Sequence, residues 1–269
     1  MRLALAQIIS GGKPAENLAL VRRYSEDAKA RGAELVIFPE ATMCAFGNPL
    51  AEVVEPIDGP WATAVRAMAS EIGITIVAGM FTPGNGGRVR NTLLATGPDV
   101  EASYDKIHLF DAFGFSESDS VDAGTEPVVF RRGGITFGLA TCYDVRFPAL
   151  FTANAAAGAQ VNIVCASWGA GEGKLEQWEL LCRARALDST TFVVACGQGD
   201  PASVGIAATS SAPTGVGASA AVSPLGSVLV SLGAEPGLAV VDVDVSILDE
   251  VRAKLPVLAN ARTFEHAKR

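Results

Sequence analysis

Cys142 is the residue best placed in the sequence to act as a nucleophile. It follows the apolar run 134–141, which predicts a buried strand, and precedes a helix predicted over 147–157 with Pro148 near its first position. At such a strand-to-helix turn, free backbone N–H groups and the positive end of the helix favour a thiolate and any oxyanion beside it. Buried structural cysteines are common, so this position alone leaves both roles open.

A cysteine nucleophile needs a base, because an ordinary thiol is only a few per cent ionised at neutral pH. Histidine is the usual partner, and the chain has two, His108 and His266. His266 lies in the charged C-terminal tail, so a Cys-His dyad would have to use His108. A single histidine at the end of a strand is more often a structural group, and the sequence therefore directs attention to carboxylates.

Three charged residues interrupt apolar surroundings where predicted strands end. Glu40 follows the apolar run 35–38, Lys106 follows a strand over 100–104, and Glu117 lies in an irregular segment next to phenylalanines. A glutamate in a partly apolar pocket has a raised pKa and can move a proton between a thiol and a leaving amine. A lysine beside it offers a cation to a developing oxyanion. Each could be a solvated strand-end charge, but together with Cys142 they indicate acyl-transfer chemistry without histidine.

Four motifs carry a resemblance to a known family. They are Phe38-Pro39-Glu40, the segment 104–109, Glu117-Ser118 before Gly124, and the segment 141–148. In this order and spacing the chain resembles the nitrilase or carbon–nitrogen hydrolase superfamily from its first strand to about Arg262. The resemblance implies that Glu40 is the general base, Lys106 stabilises the oxyanion, Cys142 is the nucleophile, and Glu117 positions the substrate or the hydrolytic water.

The resemblance also implies a fold, an assembly and a reaction. The family fold is a four-layer α-β-β-α sandwich that dimerises into eight layers. The segments 106–113 and 117–124 are similar to the amidase branch that includes deaminated glutathione amidase and ω-amidase. For this chain the resemblance implies a homodimer that hydrolyses a small carboxylate-bearing amide through a cysteine thioester, releases ammonia, and requires neither a cofactor nor a metal.

Three residues are candidates for binding the substrate. Arg146 could hold a substrate carboxylate bidentately, as in N-carbamoyl amino-acid hydrolases that this segment resembles, or could form an ion pair with Asp144. Backbone N–H groups near Tyr143 are expected to hold the oxyanion. Trp168, with Asn91 and Thr92, is expected to line the pocket, although a buried tryptophan is more often part of a core.

Other functions remain open at this stage. The same residues would serve an N-carbamoyl amino-acid hydrolase or a nitrilase, and a non-catalytic scaffold is a third alternative. The segment 169–174 superficially suggests a phosphate-binding loop, but Leu175 follows Lys174 where that motif needs Ser or Thr.

The order of predicted elements shows how these residues would be positioned. Residues 3–79 have a β-α-β-α-β pattern, hairpin turns follow at 97–99 and 133–134, and a β-α-β unit returns over 161–196. This mixture of parallel and antiparallel pairing predicts two mixed sheets packed face to face, with helices on their outer sides. No shift in composition divides the chain, so we expect one domain over residues 1–269.

Composition and charge argue against several classes of protein. The net charge of −8 argues against a nucleic-acid partner, and five dispersed cysteines without a C-x-x-C pair suggest neither disulfides nor a zinc ribbon. No apolar run reaches the roughly 18 residues that a membrane span needs. We therefore expect a cytoplasmic protein that acts on a small molecule, away from membranes.

Overall fold

Two six-stranded sheets form the centre of the computed structural model, which describes residues 1–207 and 212–263. In chain order the strands are Arg2–Gln7 (β1), Leu35–Ile37 (β2), Thr75–Pro83 (β3), Val89–Gly97 (β4), Val100–Asp105 (β5), Asp111–Ala112 (β6), Phe115–Ser116 (β7), Val129–Arg132 (β8), Ile135–Thr141 (β9), Val161–Ala166 (β10), Phe192–Gly197 (β11), Ala220–Val222 (β12), Val228–Ser231 (β13) and Gly237–Asp242 (β14). The helices are Pro14–Ala30 (α1), Pro60–Ile72 (α2), Pro148–Ala156 (α3), Lys174–Ser189 (α4), Leu248–Lys254 (α5) and Val257–Asn260 (α6).

Each large sheet has a parallel centre and antiparallel edges. The first has the order β14-β1-β2-β3-β4-β5, with β1, β2 and β3 parallel. The second has the order β13-β12-β11-β10-β9-β8, with β9, β10 and β11 parallel. The strands β6 and β7 form a separate two-stranded hairpin. The predicted mixed pairing is confirmed.

The alternation of side chains along the strands creates the layers. Leu3 and Leu5 of β1 lie in a core shared with Phe137 of the second sheet, whereas Ala4 and Ala6 face a separate core with Val21 of α1. Because successive side chains of a strand point to opposite faces, one strand serves both cores. On the far side of the second sheet, α3 and α4 pack against β9 and β11. The result is the predicted four-layer α-β-β-α sandwich.

The turn that carries Cys142 differs from the sequence prediction. A short 3-10 helix, Cys142–Arg146, separates β9 from α3, so the α-helix begins only at Pro148. The helix predicted over 147–157 is confirmed as α3, with Pro148 as its first residue. Proline disfavours a helical conformation in the residue before it, and Phe147 is accordingly extended, which breaks the helix between the turn and α3.

Two short helices follow the last strand near the C-terminus. The segment after Ser246 contains α5 and α6, and α5 has acidic residues in its first turn and basic residues in its last. All five cysteines are free and buried. Within 1–207 and 212–263, no helix combines the length and apolar character required to cross a bilayer.

Candidate active site

Lys106 lies directly after β5 and connects two buried glutamates. Its Nζ is 3.0 Å from Oε1 of Glu40 and 2.8 Å from Oε2 of Glu117. All three side chains are almost completely buried. Burial alone would lower the pKa of Lys106, but the charges of Glu40 and Glu117, with a contribution from Cys142, outweigh it and raise that pKa. Lys106 therefore remains a cation, and the sequence-predicted residues Glu40, Lys106 and Glu117 form one cluster.

Glu40 follows β2 and uses both carboxylate oxygens. Oε1 accepts hydrogen bonds from Lys106 and from Nδ2 of Asn91, at 2.7 Å for the latter, and Oε2 accepts one from the backbone N–H of Ser167 at 2.8 Å. Burial raises the pKa of Glu40, against the opposing charge of Lys106. A carboxyl group in this environment can take up a proton near neutral pH more readily than a surface glutamate.

Glu117 directly follows the β6–β7 hairpin and is hydrogen-bonded to Phe110, the residue that directly precedes this hairpin. Its Oε2 accepts a hydrogen bond of 2.6 Å from the backbone N–H of Phe110, and its own N–H donates to the Phe110 carbonyl. Asn91 Nδ2 also reaches Glu117 Oε1 at 3.3 Å. Asn91, expected only to line the pocket, thus donates to both glutamates; its position at the site end of β4 could have indicated this role.

Cys142 opens the 3-10 turn with a φ of 47°, a left-handed conformation uncommon for a residue with a side chain. Its thiol is buried, and the Glu40 carboxylate is close enough to act on it electrostatically. Burial and the charge of Glu40 raise the pKa of the thiol well above its usual value, with Lys106 opposing them. Because the raised pKa disfavours a free thiolate, ionising Cys142 requires a proton acceptor, and Glu40 is the neighbouring carboxylate that can serve as one.

Asp144 stabilises the turn through the hydrogen bonds of its side chain. Its buried carboxylate accepts hydrogen bonds from the backbone N–H of Thr141 at 2.8 Å, the Tyr104 hydroxyl at 2.6 Å and the backbone N–H of His108 at 3.0 Å. Nδ1 of His108 is 2.7 Å from the same carboxylate, and the His108 ring stacks on Phe147. His108 is therefore engaged in a structural network and not with the thiol. His266 lies outside the described residues.

Arg146 faces aromatic rings and a neutral amide. Its Nη2 donates to Oε1 of Gln177 at 2.6 Å, and its guanidinium lies 4.9 Å from the Trp168 ring centroid and 5.9 Å from that of Tyr143. The alternative of an ion pair with Asp144 is wrong, because the hydrogen bonds to Tyr104, His108 and Thr141 occupy that carboxylate. The structure thus places the three predicted substrate-binding residues, Tyr143, Arg146 and Trp168, side by side.

Lys174 is a neighbour that sequence analysis did not assign to the site. Trp168 donates from Nε1 to the Lys174 carbonyl oxygen at 2.8 Å, and the Lys174 ammonium lies 3.7 Å from the Phe113 ring centroid. Burial lowers the pKa of Lys174, and so does the charge of Arg146, whereas Cys142 opposes both. The only sequence signal was the glycine-rich run before it, which resembles a phosphate loop without matching one.

The arrangement combines a nucleophile, a proton acceptor and a fixed cation. A thiol beside a carboxylate can attack a carbonyl carbon while the carboxylate takes its proton, and a lysine ammonium can stabilise the resulting oxyanion. The geometry therefore suits acyl transfer.

Comparison with known proteins gives a consistent picture. A family model described as carbon-nitrogen hydrolase matches residues 2–253. Hydrolase Rv0480c of Mycobacterium tuberculosis is 57% identical over 98% of this chain and 96% of its own. Deaminated glutathione amidase of Escherichia coli O157:H7 is 30% identical over 92% of both chains. The chloroplastic omega-amidase of Arabidopsis thaliana is 32% identical over 95% of this chain and 70% of its own.

Two solved structures are similar over nearly the whole chain. A CN-hydrolase superfamily protein from Xanthomonas campestris, with an arsenic adduct in its active site, has a TM-score of 0.84 and 25% identity over 99% of both chains. A mutant amidase from Nesterenkonia sp. AN1, with acrylamide added to its active-site cysteine, has a TM-score of 0.78 and 28% identity over 95% of this chain and 98% of its own.

Proposed function

Because the chain belongs to the carbon–nitrogen hydrolase family and is an amide-cleaving hydrolase, we propose that it cleaves a small carboxylate-bearing amide through a thioester on Cys142. Ammonia is the leaving group. The observation that carries this proposal is the buried cluster in which Lys106 joins Glu40 and Glu117 beside the buried thiol of Cys142.

The first step transfers a proton and forms a carbon–sulfur bond. Glu40 takes the thiol proton while the sulfur of Cys142 attacks the amide carbon, so no free thiolate needs to persist in the buried site. The raised pKa values of Glu40 and Cys142 support this order, since each group disfavours a separate negative charge. Charge instead develops on the carbonyl oxygen, which becomes an oxyanion.

The oxyanion is stabilised by Lys106 and by backbone N–H groups of the turn near Tyr143. The Lys106 ammonium donates to Glu40 Oε1 and to both carboxylate oxygens of Glu117. When the substrate binds, one of the two bonds to Glu117 is exchanged for a bond to the substrate oxygen. Glu40 then returns its proton to the nitrogen of the amide, the C–N bond breaks, and ammonia leaves the thioester behind.

Water completes the cycle. Glu40 accepts a proton from water as its oxygen attacks the thioester carbon, and Cys142 leaves with a proton. We assign the positioning of substrate or water to Glu117, whose carboxylate is fixed by the Phe110 N–H, Lys106 and Asn91.

The names of the E. coli and Arabidopsis relatives support an amide of a small carboxylic acid as the substrate class. Arg146, between Tyr143 and Trp168, is the proposed partner of its carboxylate.

We further propose that residues 1–269 form one catalytic domain that works as a cytoplasmic homodimer. Exposed apolar side chains on α4, Leu180 and Leu187, support a protein contact on this outer face. Light scattering coupled to gel filtration measures the assembly: twice the chain mass is expected, and a monomer would contradict the dimer.

Ammonia release from a panel of ω-amides, neutral amides, N-carbamoyl amino acids and nitriles tests the reaction. We expect ω-amides to be preferred, without carbon dioxide, and Cys142→Ala to abolish turnover. Carbon dioxide release with the ammonia would identify a carbamoyl hydrolase, and preferred turnover of nitriles would identify a nitrilase. Unchanged ammonia release by Cys142→Ala would refute the thioester mechanism.

A further inference from the structure

Trp168 contacts both Arg146 and Lys174 beside the turn that carries Cys142. The Arg146 guanidinium lies over one face of the Trp168 ring, and the indole N–H of Trp168 donates to the carbonyl of Lys174. Arg146 belongs to the turn that begins at Cys142, and Lys174 is the first residue of α4. Trp168 therefore fixes the backbone of Lys174 with respect to Arg146.

The ammonium of Lys174 is held by aromatic rings. It lies 3.7 Å from the Phe113 ring centroid and 5.6 Å from that of Phe110. Within the described residues, no carboxylate forms a salt bridge with Lys174 or with Arg146. Cation–π contacts orient an ammonium group without neutralising it. The two positive charges consequently remain available to an anion.

Placing two cations together has an electrostatic cost that a bound anion would relieve. Partial burial and the charge of Arg146 lower the pKa of Lys174. The chain has a net charge of −8, yet among the residues that the structure describes no carboxylate forms a salt bridge with this pair. A substrate carboxylate between Lys174 and Arg146 would supply the missing charge close to the nucleophile.

We propose that Lys174 is a specificity-determining residue that binds the carboxylate of the substrate together with Arg146. The inference rests on the proposed function and extends it, because it assigns the preference for anionic over neutral amides to a lysine on α4. The favoured substrates are aliphatic amides with a free carboxylate at the other end of the acyl chain. Uncharged amides of the same length gain nothing from Lys174.

Binding to an inactive protein separates this inference from the chemistry. Succinamate and the neutral butyramide are titrated calorimetrically into Cys142→Ala and into Cys142→Ala/Lys174→Met. We expect the second substitution to weaken succinamate binding about 10-fold to 100-fold, the range of a hydrogen bond to a charged group, and to leave butyramide binding unchanged. Cys142→Ala/Lys174→Arg retains the cation and should restore most of the affinity.

Kinetics of the intact enzyme provide the second readout. Lys174→Met should raise the KM for succinamate by a similar factor while kcat changes less than threefold, and Lys13→Met, which removes the same charge from an exposed ion pair, should have no effect. Equal losses for succinamate and butyramide, or an unchanged affinity for succinamate, would overturn the role of Lys174. If the wild type cleaves neither amide but succinamate binding still depends on Lys174, the proposed reaction fails and the anion site stands.

Discussion

The hydroxyl of Tyr104 donates a 2.6 Å hydrogen bond to the carboxylate of Asp144 and thereby joins two parts of the site. Tyr104 lies two residues before Lys106, and Asp144 lies two residues after Cys142. His108, two residues after Lys106, donates its backbone N–H to the same carboxylate. One buried aspartate thus holds the segment that carries the cation against the turn that carries the nucleophile.

Asp144→Asn should impair catalysis by moving these two segments relative to each other. The amide presents donors where the carboxylate accepts several hydrogen bonds, so we expect the free energy of unfolding to fall by about 2 kcal/mol or more. A displaced nucleophile should lower kcat about 100-fold, with a smaller change in KM. Urea denaturation and steady-state kinetics check both values. Tyr104→Phe removes only one of these hydrogen bonds and should have a smaller effect. A kcat of Asp144→Asn within twofold of the wild-type value would contradict the positioning role of Asp144.

Lys106→Met should destabilise the protein strongly, because it leaves Glu40 and Glu117 buried without their cation. Removing one partner from a buried charge cluster costs about 3–5 kcal/mol. In the variant, the pKa of Glu40 should rise further in the folded state, because the opposing charge of Lys106 is lost. Stability should therefore improve as the pH falls and decline as the pH rises through that pKa. Denaturation at several pH values measures this. Lys13→Met at the exposed Lys13–Glu16 pair should show a much smaller change, and equal losses in the two variants would contradict the account.

Gly79→Ala should displace Glu40 without altering any functional side chain. A Cβ at Gly79 would lie 2.7 Å from the backbone nitrogen of Ala41 and 2.9 Å from Cα of Glu40, both on the backbone, so the segment must shift. We expect a loss of kcat of at least 10-fold, since small displacements at a reacting centre are costly. Gly233→Ala meets nothing within 4 Å and serves as the control. Equal activity of the two variants would show that the backbone contact does not position Glu40.

The dependence of kcat/KM on pH should report Glu40. Its pKa is raised by burial, so activity should fall with decreasing pH at values above the ordinary range for glutamate, as the base becomes protonated. Asn91→Ala removes a hydrogen bond to the ionised carboxylate and should move this acid limb to higher pH. Because the pKa of Lys106 is raised, an alkaline limb should not reflect its deprotonation. An acid limb that does not move in Asn91→Ala would argue against Glu40 as the titrating base.

Much of the cluster was predictable because its members end apolar runs. Such runs identify strands in the sequence. A charged residue at the end of a buried strand rarely has a structural role between two packed sheets, so it indicates a functional one. Lys106 and Cys142 directly follow β5 and β9, and Glu40 lies three residues after the end of β2. The sequence therefore indicated which residues would meet, although their distances depend on how the two sheets pack.

The turn after Cys142 and the role of Lys174 were harder to foresee. Asp144 accepts hydrogen bonds from groups that lie 36 and 40 residues away in the chain, and no local sequence pattern predicts such contacts. The helical propensity after Cys142 is interrupted by the extended Phe147 before Pro148. Lys174 reaches the site because Trp168 and the hairpin residue Phe113 converge on it in space. These features arise from tertiary packing, which periodicity does not encode.

Trapping the acyl group is the decisive test of a thioester on Cys142. The wild type is mixed with succinamate, quenched in acid within one turnover, and analysed by intact-mass and peptide mass spectrometry, with Cys142→Ser as the control. We expect a mass increase equal to the succinyl group on the peptide that contains Cys142, labile to hydroxylamine, and no thioester in the control. Ammonia release in the same turnover with no acyl group on Cys142, or with the acyl group on another residue, would contradict it.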